Sequence, residues 1–391
     1  MRVAFTSRRP FADGPVQEPF LENDPANIAY VLRGDYVSFY TLKKLSDRQL
    51  EKKLEPYDLV FVALDLRALD IVERIARACD GRLATYSEGS IADYQMHPPA
   101  GQHTFLRLIR QAAINFLYWE KYIPFYQSLT DAPVAYLPYP YLASEASRHY
   151  LPLSDRHRHV TLPSGLGGAT RNGLGSLSVA KKLLEQNLIT QINCWLSATT
   201  FAEDAQVVSC FLSGSPLTPH IRRTRLNWRQ WLHTSRIDYR PLLNLKNRVL
   251  GRGTGAPPAP LIQSDNLAFY RRQTWLNYVT QIASSSIIID MNNRETVGRN
   301  ALDCAALGIA CVSTNRSDIQ ARLFPQITLA DSWDVDGAFT FCRRLLQDRR
   351  FYQSVVEYAA EALKQFDEQA FLGRFQAVLK CYPHLTQLRS S

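Results

Sequence analysis

Residues 284–316 read SSSIIIDMNNRETVGRNALDCAALGIACVSTNR. An apolar run over Ile287–Asp290 opens into a polar loop that carries Glu295 and Gly298. An apolar-periodic segment follows, with Asp303 on it, and Gly308 stops it. Ile309–Ser313 then reads as a second strand. Strand, polar turn, helix, glycine and strand make a βαβ unit, and ligands of such units sit at the carboxyl ends of the strands. Two carboxylates and a glycine therefore stand where a ligand is held.

The same alternation extends outward in both directions. In the N-terminal half, strands are expected at Val3–Thr6, Val37–Thr41, Leu59–Leu64, Arg82–Tyr86 and Val134–Leu137. The stretch YDLVFVALD is a continuous apolar strand, of the kind buried on both faces of a parallel sheet. Helices are expected at Pro25–Leu32, Asp47–Leu54 behind the N-cap Ser46, Ala68–Cys79 and Thr104–Trp119. Residues 138–157, with three prolines and many polar side chains, look like an interdomain linker, bounded between the domains at 146–158. The pattern restarts with a strand at Val160–Pro163, a Gly-rich loop over Ser164–Ser176, a helix at Leu177–Gln186, and strands at Ile189–Leu196 and Val207–Leu212. Leu267–Ile282 reads as a helix. The C-terminal stretch is helical over Ala338–Leu346, Phe351–Phe366 and Gln369–Val378.

At 391 residues the chain has room for two domains of about 100–200 residues each. Hydrophobic residues make up 46%, enough for large cores. No apolar run approaches the ~20 residues that a membrane helix needs. The start, MRVAFTSRRP, suits a first buried strand better than a signal-peptide core. The seven cysteines are scattered without CxxC pairs, as expected of reduced core thiols in the cytoplasm. The histidines show no metal-ligand spacing; His157 and His159, in RHRH, read as part of the linker region. The net charge of +9 attracts anions without choosing among them.

These features together carry a resemblance. The segment RETVGRNALDCAALGIACV resembles the donor-site segment of the group 1 retaining GT-B glycosyltransferases. That family has Glu-x7-Glu, with a glycine three residues after the first Glu and a small-residue run ending in glycine before the next strand. Glu295 matches the first acid, Gly298 the glycine, Asp303 the second acid, here shortened, and Gly308 the glycine before the strand. The resemblance implies two Rossmann-like, doubly wound α/β domains facing a cleft. It places an acceptor domain at 1–145, a nucleotide-sugar domain at 159–366 with an insertion at 215–260, and a C-terminal helix, 367–391, packed back on the first domain. It implies no bound cofactor or metal, with a nucleoside-diphosphate sugar as co-substrate.

The resemblance assigns roles residue by residue. Glu295 would hold the donor sugar and Asp303 the ribose, since carboxylates accept paired bonds from vicinal hydroxyls. Thr296, Val297 and Gly298 would present N–H groups to the diphosphate at a helix N-terminus, with Arg299 adding charge. In the Gly-rich loop, Gly167 and Gly168 would approach the diphosphate, and Arg171 would stand as its cation. The family's lysine five residues beyond that arginine is replaced by Ser176. In the N-terminal half, Glu88 and Asp93 follow the Arg82–Tyr86 strand and Asp13 follows the first. An inverting enzyme would use one of them as general base, whereas a retaining one lets the departing phosphate take the proton.

Residues 220–252 are densely basic, with Trp228, Trp231 and Tyr239 interleaved. Such a segment suits an acidic membrane surface, nucleic acid, or a packed insertion with solvated charges. The expected acceptor is thus an unknown hydroxyl on a glycan, glycolipid or small molecule. A transferase acting on hydroxylated DNA bases is the first alternative. A non-catalytic nucleotide-sugar-binding protein is the second. The expected location is cytoplasmic, with peripheral membrane attachment open through the basic segment.

Overall fold

The computed structural model describes residues 1–22, 24–87, 89–163, 172–196, 201–213, 262–264, 266–271 and 274–387. Glu88, Gly167, Gly168, Arg171 and the basic segment 220–252 lie outside the described residues. The chain divides into two compact units, Met1–Leu142 with Lys364–Ser391, and Ala143–Leu363.

The first unit is one sheet of β1 (Val3–Ser7), β2 (Gly14–Pro15), β3 (Asp35–Ser38), β4 (Leu59–Ala63), β5 (Leu83–Ser87), β6 (Ile114–Leu117) and β7 (Val134–Tyr136). Their order is β2-β3-β1-β4-β5-β6-β7, parallel except for β2 at the edge. β1, β5 and β6 are buried at every residue because helices cover both faces. Polar side chains inside the sheet bond across it. Thr6 Oγ1 donates to the Phe61 carbonyl at 2.9 Å, and Thr85 Oγ1 to Asn115 Oδ1 at 2.6 Å. Helix Asp47–Leu54 starts at a capping box formed by Ser46 and Gln49. The C-terminal helix Glu368–Cys381 packs on this sheet, its Phe375 ring 5.9 Å from Phe61 and 6.1 Å from Phe116.

The second unit repeats the plan with β8 (His157–Leu162), β9 (Gln191–Leu196), β10 (Ile262–Ser264), β11 (Leu267–Arg271), β12 (Ser285–Asp290), β13 (Ala310–Thr314) and β14 (Thr328–Leu329). The order is β10-β11-β9-β8-β12-β13-β14, with β10 the antiparallel edge. Two parallel, doubly wound sheets are thus the architecture that the alternation implies.

Four elements differ from the sequence expectation. Thr104–Trp119 is not one helix: a helix ends at Gln111, and Ile114–Leu117 is strand β6. Leu267–Ile282 is likewise strand β11 followed by helix Trp275–Ile282. In both, a strand buried over Ile114–Leu117 or Leu267–Tyr270 lacks polar alternation and is read as a continuation of the apolar helix face. Val207–Leu212 lies inside helix Phe201–Ser213. The second expected strand, Val37–Thr41, sits further upstream as β3, and Phe39–Leu42 turns helical.

The expected linker is structural. Helix Ala143–Ser147 packs against helix Arg299–Leu307 within the second unit, and β8 begins at His157. Arg156 is 8% exposed. Its guanidinium donates to the carbonyls of Leu151, Leu307 and Gly308 and to the Tyr352 hydroxyl. A cation thereby caps the carbonyl end of helix Arg299–Leu307, where the helix dipole favours positive charge. Gly308, at φ +66, closes that helix; a Cβ there would lie 2.7 Å from the Tyr150 ring.

Two stability predictions follow from this packing. Arg156→Met leaves several buried carbonyls unsatisfied and should lower unfolding free energy by about 3 kcal/mol in urea denaturation. An unchanged midpoint would remove Arg156 from the framework. His159 on β8 has its ring 4.9 Å from that of His157. Burial, and then the charge of His157, push His159 down to about 4. The unfolded chain therefore binds more protons than the native one as pH falls from the ordinary histidine value, 6.5, toward 4, and stability declines across that window. His159→Gln should flatten the fall in Tm between those pH values.

Candidate functional site

Strand order locates the site before any side chain is considered. In the second sheet the chain runs outward from β8 to β9 and β11, then returns to lay β12 on the other side of β8. Such a reversal leaves a crevice at the carboxyl ends of the two central strands, here β8 and β12. The Gly-rich loop leaves β8, and Met291–Gly298 leaves β12. The far end of the first is stitched to the start of the second: Asn172 N–H donates to the Met291 carbonyl at 3.1 Å, and Met291 N–H to Ser176 Oγ at 3.1 Å.

The loop after β12 is held from both flanks. The Asp290 carbonyl accepts from Ser313 Oγ at 2.5 Å, and the Asn292 carbonyl from Thr314 Oγ1 at 2.6 Å. Thr296 N–H donates to the Arg316 carbonyl at 3.0 Å. Gly298 takes φ +81 and caps helix Arg299–Leu307. A Cβ at Gly298 would come 2.0 Å from Ser317 Oγ, so only glycine fits. Glu295, Val297, Gly298 and Arg299 are all half-buried along this loop and first turn. The expectation that Thr296 offers its N–H to a diphosphate is corrected here, because that group is already spent on Arg316.

Behind the loop, polar and aromatic side chains tie the helix to its neighbours. Asn300 Nδ2 donates to Asp290 Oδ2 at 2.6 Å, and Tyr278 donates to Asn300 Oδ1 at 3.2 Å. Burial first, then the nearby Cys304, Asp303 and Asp290, push the Tyr278 phenol well above its ordinary value, so it stays a donor. The Tyr278 ring meets Trp195 edge-on at 5.1 Å, and Trp195 stacks on Tyr270 at 5.2 Å. Asp303 is 2% exposed and accepts from Trp275 Nε1 at 2.8 Å. Three buried atoms of the loop, Asn292 Oδ1, Asn293 Oδ1 and Thr296 Oγ1, have no partner among the described residues. Unused hydrogen-bonding capacity of this kind is costly and calls for an explanation.

Glu295, Val297, Gly298, Arg299 and Asp303 thus share one loop and helix. Asp93 lies in the other unit, half-buried in the first turn of helix Ile91–Gln95. Asp13 accepts from Ser38 N–H at 2.7 Å at the end of β3. Sequence reasoning missed Trp275, Tyr278 and Asn300. The two aromatic residues fall inside a stretch read as one long helix, and no local signal links Trp275 to Asp303. Among the described residues no group of His, Cys, Asp or Glu is disposed to hold a metal ion, and no helix is long and apolar enough to cross a membrane.

No family model matches the sequence, and no curated protein matches it in sequence. The structure nevertheless defines a class: this chain has the GT-B glycosyltransferase fold. Anabaena HepE in complex with UDP-glucose matches it over 97% of this chain and 100% of its own, with TM-score 0.61 and 10% identity. The E. coli structure bound with UDP-2-fluoro glucose, of the trehalose-6-phosphate group, covers 97% and 99% with TM-score 0.59 and 10% identity. The trehalose-6-phosphate synthase of Burkholderia multivorans covers 87% and 75% with TM-score 0.56 and 14% identity.

Gly298→Ala should destabilise the protein by about 2 kcal/mol or more through left-handed strain and collision. Adding Ser317→Gly should recover part of that loss in thermal unfolding, whereas an undamaged Gly298→Ala protein would refute the packing described.

Proposed function

We propose that the protein is a glycosyltransferase that moves a sugar from a nucleoside-diphosphate sugar to a hydroxyl acceptor with retention of configuration. The observation that carries this reading is the Glu295 loop, held rigidly at the topological switch of a GT-B sheet, with a helix N-terminus beginning just beyond it. The likeness to HepE, solved with UDP-glucose, supports the donor class.

In this reading Glu295 accepts hydrogen bonds from the hydroxyls of the donor sugar. The first turn of helix Arg299–Leu307, with the Arg299 charge, faces the diphosphate. Asp303 holds the ribose, its carboxylate oriented by the Trp275 indole. Gly167, Gly168 and Arg171 remain the candidates for the opposite side of the diphosphate. The unused polar atoms of Asn292, Asn293 and Thr296 provide bonds that a polar ligand would complete. Reaction breaks the bond between the sugar and the diphosphate oxygen and forms one to the acceptor oxygen on the same face. The acceptor proton passes to the departing phosphate, so Glu88 and Asp93 are assigned to acceptor contact and not to proton transfer. Preorganised donors around a developing phosphate charge supply the stabilisation that lowers the barrier.

Thermal-shift titration against nucleoside diphosphates and their sugars tests the donor assignment. One of them should stabilise the protein by about 2.7 kcal/mol at a hundredfold excess over Kd. Glu295→Gln should keep nucleoside-diphosphate binding while transfer falls by about ten- to hundredfold, the worth of a charge-assisted hydrogen bond. Full transferase activity in that variant would sink the site.

A further inference from the structure

Trp333 is 66% exposed and Leu174 54%. Neither takes part in the donor site proposed above. Both sit on rigid ground at the strand ends of the second unit. Trp333 lies in the turn before helix Val335–Gln347. Its N–H donates to Asp331 Oδ1 at 3.0 Å, and its carbonyl accepts from Val335 N–H at 2.8 Å. Asp334 caps the helix by accepting from Gly337 N–H at 2.8 Å. The preceding Ser332 is buried, and its carbonyl accepts from Asn172 Nδ2 at 2.6 Å.

Asn172 is also the N-cap of helix Gly173–Glu185, whose first turn carries Leu174. That helix packs along Val335–Gln347, and Lys182 bonds Asp336 across the pair at 2.6 Å. The same Asn172 reaches the Met291 carbonyl at the start of the Glu295 loop. One buried residue therefore ties together, through its side-chain amide and its backbone N–H, the turn of the indole, the helix of the leucine and the proposed donor loop. An indole whose backbone is already ordered loses little entropy when a ligand covers it.

Local charge selects the occupant. Asp331, Asp334 and Asp336 are all exposed within three residues of Trp333, and Lys182 is bonded to Asp336. On a chain of net charge +9 this is an acidic spot. It repels anionic lipid headgroups and nucleic-acid phosphates. A neutral pyranose fits it: the apolar C–H face covers the indole and leucine, and the hydroxyls at the rim donate to carboxylates.

We propose that Trp333, with Leu174 on the helix that Asn172 ties to the same turn, is a platform for a neutral hexopyranose glycan. This binding does not rest on the glycosyltransferase reading. Calorimetric titration with maltotriose, cellotriose and mannotriose tests it. At least one should bind saturably, Trp333→Ala should weaken that binding about tenfold or more, and Trp333→Phe should largely restore it. Leu174→Ser should give a smaller loss. Nucleoside-diphosphate binding should be the same in Trp333→Ala as in the parent protein. The platform is overturned if no trisaccharide binds, if Trp333→Ala binds as well as the parent, or if phosphatidylglycerol vesicles bind more tightly than any sugar. Glycan binding lost in Trp333→Ala, in a protein that binds no nucleoside diphosphate, would uphold the platform and remove the transferase reading.

Discussion

The buried guanidinium of Arg156 is the tie on which the second unit depends. It bonds the carbonyls that end helix Arg299–Leu307 and the hydroxyl of Tyr352, which itself donates to the Ser286 carbonyl on β12 at 2.9 Å. One cation and one phenol thus join the entry segment, the helix, the central strand and the helix Arg349–Leu363. Burying that charge is tolerable because each nitrogen of the guanidinium donates to an oxygen. With the carbonyl end of the βαβ helix pinned, its amino end can only point one way, toward the carboxyl ends of β8 and β12.

At that amino end the constraint is steric. Gly298 must adopt a left-handed conformation while Ser317 presses against the place where a side chain would start. The loop between Asp290 and Gly298 is held by Ser313, Thr314 and Arg316, all just after β13 or at its end. Rigid backbone at the start of a helix dipole suits the recognition of an anion flanked by hydroxyls. The chemistry proposed for Glu295 and Arg299 is therefore a consequence of where two neighbouring strands stop.

Much of this was legible along the chain. The apolar run before Asp290, the glycines at 298 and 308 and the acids at 295 and 303 lie within one βαβ unit, so local spacing is enough to reveal them. Two of the misread stretches share one cause. Ile114–Leu117 and Leu267–Tyr270 are buried on both faces, and a strand without a polar face has no period of its own. Trp275 escaped for a different reason, since its contact with Asp303 joins two helices, Trp275–Ile282 and Arg299–Leu307, that meet only in the folded unit. The segment read as a linker contains Arg156, and nothing in RHRH signals that the first arginine will be buried.

What the sequence by itself determined is the alternation of strands and helices, the position of the Glu295 loop at a strand's carboxyl end, and the need for glycine where that loop becomes a helix. These depend on residues close together in the chain, whose periodicity and conformational limits act locally. Only the tertiary structure decided that β8 and β12 are neighbours at a topological switch, that Thr296 spends its N–H on Arg316, and that Trp275 holds Asp303. It alone showed Trp333 standing exposed. Those facts join residues far apart in sequence, and the hydrogen bonds and burial that create them come into being only when the sheet closes.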